Sequence, residues 1–180
     1  MALPKRSPRL SPDRERLESQ IGRSTLIVVL LGSAGNGLEE RRRVARLLNE
    51  LGMAALVPED DFPRDVGASV LERAILSRAD VDLVFVSVES WGSATEFGQF
   101  HTDPRIASKL RVLVDPEHHP LHDPRDGYLK DLYLTHLAAY GHVYAVDGGR
   151  MVRVPSKESL VLLMAERYRQ LKRFQPNLIR

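Results

Sequence analysis

The chain contains no cysteine, which excludes disulfides, thiolate nucleophiles and cysteine metal sites. Aromatic residues are scarce at 6%, with Trp91 the only tryptophan. None interleaves with the basic residues near the N-terminus, as stacking on bases would want. No apolar run approaches the roughly 20 residues of a membrane span. No apolar segment follows the first basic residues as in a secretory signal. A soluble cytoplasmic protein without membrane contact is the expectation. A strong excess of one charge is also missing, since 26 Lys/Arg face 24 Asp/Glu. The charge is unevenly placed: net +3 over residues 1–24, +4 over 157–180 and −5 between them. The pI near 9.0 therefore reflects the ends. Such ends could touch nucleic acid or an acidic partner protein, although a pair of solvated tails is the plainer account.

What is present suits one layered domain. The 180 residues are 43% hydrophobic, enough for a core of ordinary size. Residues 1–23, with Pro4, Pro8 and Pro12 among charged residues, read as a basic, disordered or loosely packed lead-in with a short helix over Pro12–Gln20. Residues 24–180 read as a single α/β domain. Apolar runs predict strands at Thr25–Leu31, Met53–Val57, Val81–Val86, Leu110–Val114 and His142–Val146. Helical periodicity predicts helices at Leu38–Leu51, 66–78, from Ala94 onward, at Tyr128–Tyr140 and at 156–174. In the first, Val44, Leu47, Leu48 and Leu51 face inward and Arg41, Arg42, Arg43 and Arg46 lie on the open face. In the second, Val66, Val70, Leu71, Ala74 and Ile75 face inward. Met151–Val154 reads as a short extended piece, and Ser156 as the cap of the last helix.

Alternating strands and helices argue for a doubly wound, five-stranded parallel sheet. The expected order is 2-1-3-4-5, the flavodoxin-like arrangement, with its switch point between strands 1 and 3. Two loops border that crevice. One is the small-residue run Gly32-Ser33-Ala34-Gly35-Asn36-Gly37, and the other is the turn from Ser87 to Glu96. The first lacks a nucleotide-binding fingerprint. It is either a plain strand-to-helix turn or a place where a ligand approaches the backbone.

Glu96 has two readings. Ser93 and Glu96 have the spacing of a capping box, which would occupy both without any chemistry. Alternatively Glu96, about one turn into its helix, is an ionised carboxylate able to attack an electrophilic carbon. Elsewhere, Glu59, Asp60, Asp61 and Asp65 are either an acidic loop before a helix or carboxylates for Mg²⁺ or ribose hydroxyls. His118, His119 and His122 read as a polar loop, from which one histidine could protonate a leaving base. No metal site is expected.

Gly92-Ser93-Ala94-Thr95-Glu96-Phe97-Gly98 resembles the G-T-A-x-E-hydrophobic-G signature of nucleoside 2-deoxyribosyltransferases. Ser87, Ser90, Trp91 and Glu96 are more loosely similar to the order found in TIR domains. The resemblance implies cleavage or transfer of an N-glycosidic bond in a nucleoside, nucleotide or NAD. Glu96 would be the nucleophile and Gly98 the signature's last glycine. It also implies that Gly32, Ser33 and Asn36 wall a ribose pocket. Ser93 lies within the signature, and Ser87 or Glu89 stands nearest the position of a base-binding acid. No cofactor is implied, NAD entering only as substrate, and a homo-oligomer is implied because the relatives complete their pockets with a neighbouring subunit. A TIR-like NAD hydrolase is one alternative. A nucleotide sensor or scaffold that does not cleave is another.

Overall fold

A computed structural model describes residues 15–16, 26–64, 67–147 and 153–174. Its sheet is built from β1 Ile27–Gly32, β2 Ala54–Leu56, β3 Leu83–Ser87, β4 Leu110–Val114 and β5 Val143–Ala145. Every neighbouring pair is parallel and the order is β2-β1-β3-β4-β5, as the alternation of elements predicts. Between and after the strands lie α1 Asn36–Glu50, α2 Pro58–Asp61, α3 Ala68–Leu76, α4 Trp91–Phe100, α5 Pro104–Ala107, α6 Tyr128–Tyr140 and α7 Lys157–Phe174. A 3₁₀ turn, Pro116–His118, follows β4.

The strands are nearly continuous apolar runs because both sheet faces are covered. Ile27, Val29 and Leu31 pack with Val84, Val86 and Val112 on one face, against Ile75, Phe97 and Tyr133 of α3, α4 and α6. Leu26, Val28 and Leu30 pack with Leu83, Phe85 and Leu113 on the other, against Val44, Leu48, Val161 and Ala165 of α1 and α7. Asp82 anchors the far edge. Its carboxylate accepts from Ile27 N at 2.9 Å and from Lys172 Nζ at 2.8 Å, so Lys172 holds α7 to the sheet besides favouring the helix end.

Several expectations change. Arg41 is buried, not on the open face, whereas Arg43 and Arg46 are exposed. Val70 (65% exposed) and Ala74 point outward, and α3 is held by Ile75 and Leu76 instead. Leu51 stands 48% exposed beyond the end of α1. Arg153 and Val154 form a turn and a bend, not an extended piece. Ser156 Oγ accepts from Ser159 N at 3.2 Å, which caps α7 as expected. Of the lead-in helix only Glu15 and Arg16 are described, and they are helical. Asp65, Val66 and Met151 lie outside the described residues. Among the described residues no helix is long and apolar enough to cross a membrane.

Candidate active site

The carboxyl ends of β1 and β3 lie side by side, with Gly32 paired to Ser87. A Cβ on Gly32 would stand 3.3 Å from Ser87 Cβ, so glycine lets the two strand ends approach without crowding. The two suspect loops meet here. Ser33 Oγ donates to Glu89 Oε2 at 3.0 Å, and Lys157 of α7 pairs with the other Glu89 oxygen and with Glu40. Gly37 leaves room for this bond, since a Cβ there would run into Ser33 Oγ. Asn36 is exposed at the start of α1. Ser87 is half-buried at the end of β3.

Arg41 holds the β1 end in shape. Its guanidinium donates to the carbonyls of Leu30 (3.2 Å), Gly32 (3.2 Å) and Ser33 (2.8 Å). It also grips Glu59 through two bonds of 2.9 and 2.7 Å. Such a fork geometry is specific to arginine. Two more carboxylates of the acidic run are also occupied: Asp60 accepts from Arg42 at 2.7 Å, and Asp61 accepts from Val57 N at 2.8 Å. Among the described residues no group of His, Asp and Glu is arranged to hold a metal ion.

The capping box exists but is shifted from the predicted pair. Ser90 is the N-cap and Ser93 the third helical residue of α4. Ser93, almost fully buried, accepts from Glu89 N and Ser90 N at 3.0 Å each, while Ser90 Oγ accepts from Ser93 N at 3.3 Å. The Ser93 hydroxyl is therefore consumed by capping. Ser90→Ala is expected to cost about 1 kcal/mol, read by urea unfolding; no loss would mean the cap is dispensable.

Glu96 is thus released from capping. α4 starts at Trp91, not Ala94, so Glu96 is its sixth residue and lies beyond the first turn, where the helix dipole is felt most. Its Oε2 is buried with no hydrogen-bond partner. Burial, helped by the nearby carboxylates of Glu72 and Glu59 and opposed by Arg41, pushes its pKa up to about 7. This corrects the expectation that the helix start keeps it ionised. Glu72 is likewise raised, first by burial and then by Glu59. Glu59 and Glu72 line a cleft of about 370 Å³ with Pro58, Phe62, Arg64 and Leu71. Glu96 interacts electrostatically with both without itself lining that cleft. Gly98 faces α6, where a Cβ would meet Leu132 at an ordinary 3.8 Å.

Two histidines of the loop after β4 are held by protein contacts. His119 is buried with Nε2 3.3 Å from the Val143 carbonyl, and His118 Nδ1 accepts from Arg125 at 2.9 Å.

Arg41, Glu59 and Glu72 carry the electrostatics of the site, and of these only Glu59, within the acidic run, stands out in the sequence. A signal did exist for Arg41. It sits three, four and seven residues before Val44, Ala45 and Leu48, on the buried stripe of α1. Glu72 similarly precedes Ile75 and Leu76 by three and four residues.

A sequence profile described as STM3845 retron effector protein matches residues 69–122. That segment runs from α3 through β3, α4 and β4 into the histidine loop, and so includes Glu72 and Glu96. No curated protein matches the chain. The profile covers under a third of the sequence and marks a similarity to retron effectors in that segment.

Proposed function

We propose that the chain cleaves or transfers the N-glycosidic bond of a nucleoside, nucleotide or NAD, with Glu96 as nucleophile. The observation that carries this reading is the buried, unpartnered Glu96 oxygen, within electrostatic reach of Arg41, Glu59 and Glu72. A carboxylate kept from water and from hydrogen bonds is costly to ionise. A sugar carbon developing positive charge relieves that cost, so the interaction strengthens toward the transition state. Glu96 attacks C1′, and the C1′–N electron pair leaves with the base. Water or a second base then attacks C1′ of the ester adduct. The C1′–O bond breaks, its electrons return to Glu96, and the incoming group gives up its proton.

One observation favours NAD over neutral nucleosides. A neutral base needs a proton as it leaves, but Glu89, the acid that the resemblance sets at the base-binding position, is tied to Lys157 and Ser33. Nicotinamide departs from a ring nitrogen that is already cationic and needs no proton. The partial profile match supports an effector role as part of this proposal. A homo-oligomer, a cytoplasmic location and basic ends that touch a partner also belong to the proposal.

Incubation with NAD, deoxynucleosides and deoxynucleotides, followed by chromatography for released base, tests it. Binding without turnover of any of them would leave a sensor in place of an enzyme. The attacking carboxylate must be ionised, so the rate is expected to rise with pH through about 7. Glu72→Gln removes a repelling neighbour and should move this acid limb to lower pH. A limb that stays put would show that the two carboxylates are not coupled.

A further inference from the structure

The flank of α4 opposite Glu96 borders a second cleft, of about 340 Å³. That is within the range of small-ligand sites, about 300–1,000 Å³. Trp91 and Ala94 line it. Glu96, two residues past Ala94, is carried roughly 200° around the helix toward Glu72. This cleft is therefore separate from the proposed nucleophile, and the inference does not rest on the N-glycosidic reading.

Its floor is apolar, formed by Val88, Ala94, Leu129 and Tyr133. At its mouth the only tryptophan of the chain stands 91% exposed. Tyr128, next to Leu129 at the start of α6, is 80% exposed. Large aromatic surfaces left in water beside an apolar hollow mark recognition more than folding, because neither ring contributes to the core from there.

Charge decides what fits. Lys130 pairs with Asp126 at 3.5 Å, and Asp123 with Arg125 at 2.8 Å. Glu89 pairs with Lys157, and His118 accepts from Arg125. Glu89, Asp123 and Lys130, the charged side chains lining the cleft, thus already have opposite partners, which disfavours phosphate or carboxylate ligands. His118, Asp123 and Lys130 still present donors and acceptors along one rim. We infer that the α4–α6 cleft binds a neutral heteroaromatic ring with a hydrogen-bonding edge, of nucleobase chemistry, stacked on Trp91.

Because Trp91 is the sole tryptophan, its emission reports this site directly. The full chain is titrated with adenosine, guanosine and cytidine, excited where nucleosides do not absorb, with equilibrium dialysis in parallel. The expected result is saturable quenching with protection from acrylamide for at least one nucleoside. Trp91→Ala, at an exposed position that folding does not need, should weaken that binding at least about fivefold, while Glu96→Gln leaves it unchanged. Linear quenching no different from that of free tryptophan would overturn the inference. So would binding kept in Trp91→Ala but lost in Glu96→Gln, which would place the ring at Glu96. An emission shift that follows protein concentration without ligand would assign the surface to a second copy of the chain, and would equally overturn it.

Discussion

Glu96→Gln is expected to lower base release by three orders of magnitude or more, on the scale of removing a covalent nucleophile, while substrate binding persists. The amide keeps the size and shape of the side chain but lacks the negative charge, which leaves its oxygen a far poorer nucleophile. The fold should tolerate it, because the buried oxygen it replaces has no hydrogen-bond partner to lose. Stability gives an independent readout. The folded-state pKa of Glu96, about 7, lies above the ordinary value of 4.5. The folded chain therefore holds a proton that the unfolded chain has released between those values. Its contribution is fully present below about 4.5 and is lost as pH rises through about 7. Glu96→Gln should thus melt higher than the parent at pH 8, with the gain vanishing near pH 4. A variant of undiminished activity would remove Glu96 from the chemistry. A melting gain independent of pH would contradict its burial.

Arg41→Met is expected to cost about 2–3 kcal/mol. Removing one partner of a fully buried ion pair costs about 3–5 kcal/mol. Glu59 keeps 38% of its side-chain surface exposed, so water recovers part of its charge. The carbonyls of Leu30, Gly32 and Ser33 lose a donor at the same time. For a chain of this size the melting temperature should fall by roughly 5–10 °C, measured by circular dichroism. Arg41→Lys should recover the charge but not the fork, and so should fall between the two. The double variant Arg41→Met with Glu59→Gln should be less damaged than Arg41→Met alone. A loss under about 0.5 kcal/mol, the range of ordinary surface changes, would show that the guanidinium does not hold the β1 end.

The fold was legible because its signals are local. The apolar run Leu110–Val114 and the periodic segment Tyr128–Tyr140 appear with the boundaries that pattern alone predicts. The alternation of elements carried the strand order. Local reasoning also placed Ser33 and Glu89 at one crevice, since the chain must leave adjacent parallel strands on the same side. Long-range pairing was not legible. Arg41 looks like one of four surface arginines until Glu59, 18 residues away, comes to meet it. Short helices such as Pro58–Asp61 and Pro104–Ala107 are too brief to show a period. The cap was misplaced because three serines, Ser87, Ser90 and Ser93, compete for it, and only the true start of α4 at Trp91 decides between them. Val70 was assigned inward by spacing, but α3 is rotated so that Ile75 and Leu76 meet the sheet.

The last helix touches both ends of the third strand: Lys172 holds Asp82 before it, and Lys157 holds Glu89 after it. During synthesis these lysines leave the ribosome after every other part of the crevice has been made. A nascent chain can therefore lay down its sheet while the mouth between Ser33 and Glu89 still lacks its clamp. Whatever this crevice does, it reaches finished geometry only once α7 has been made and docked, which delays any activity until that helix has emerged.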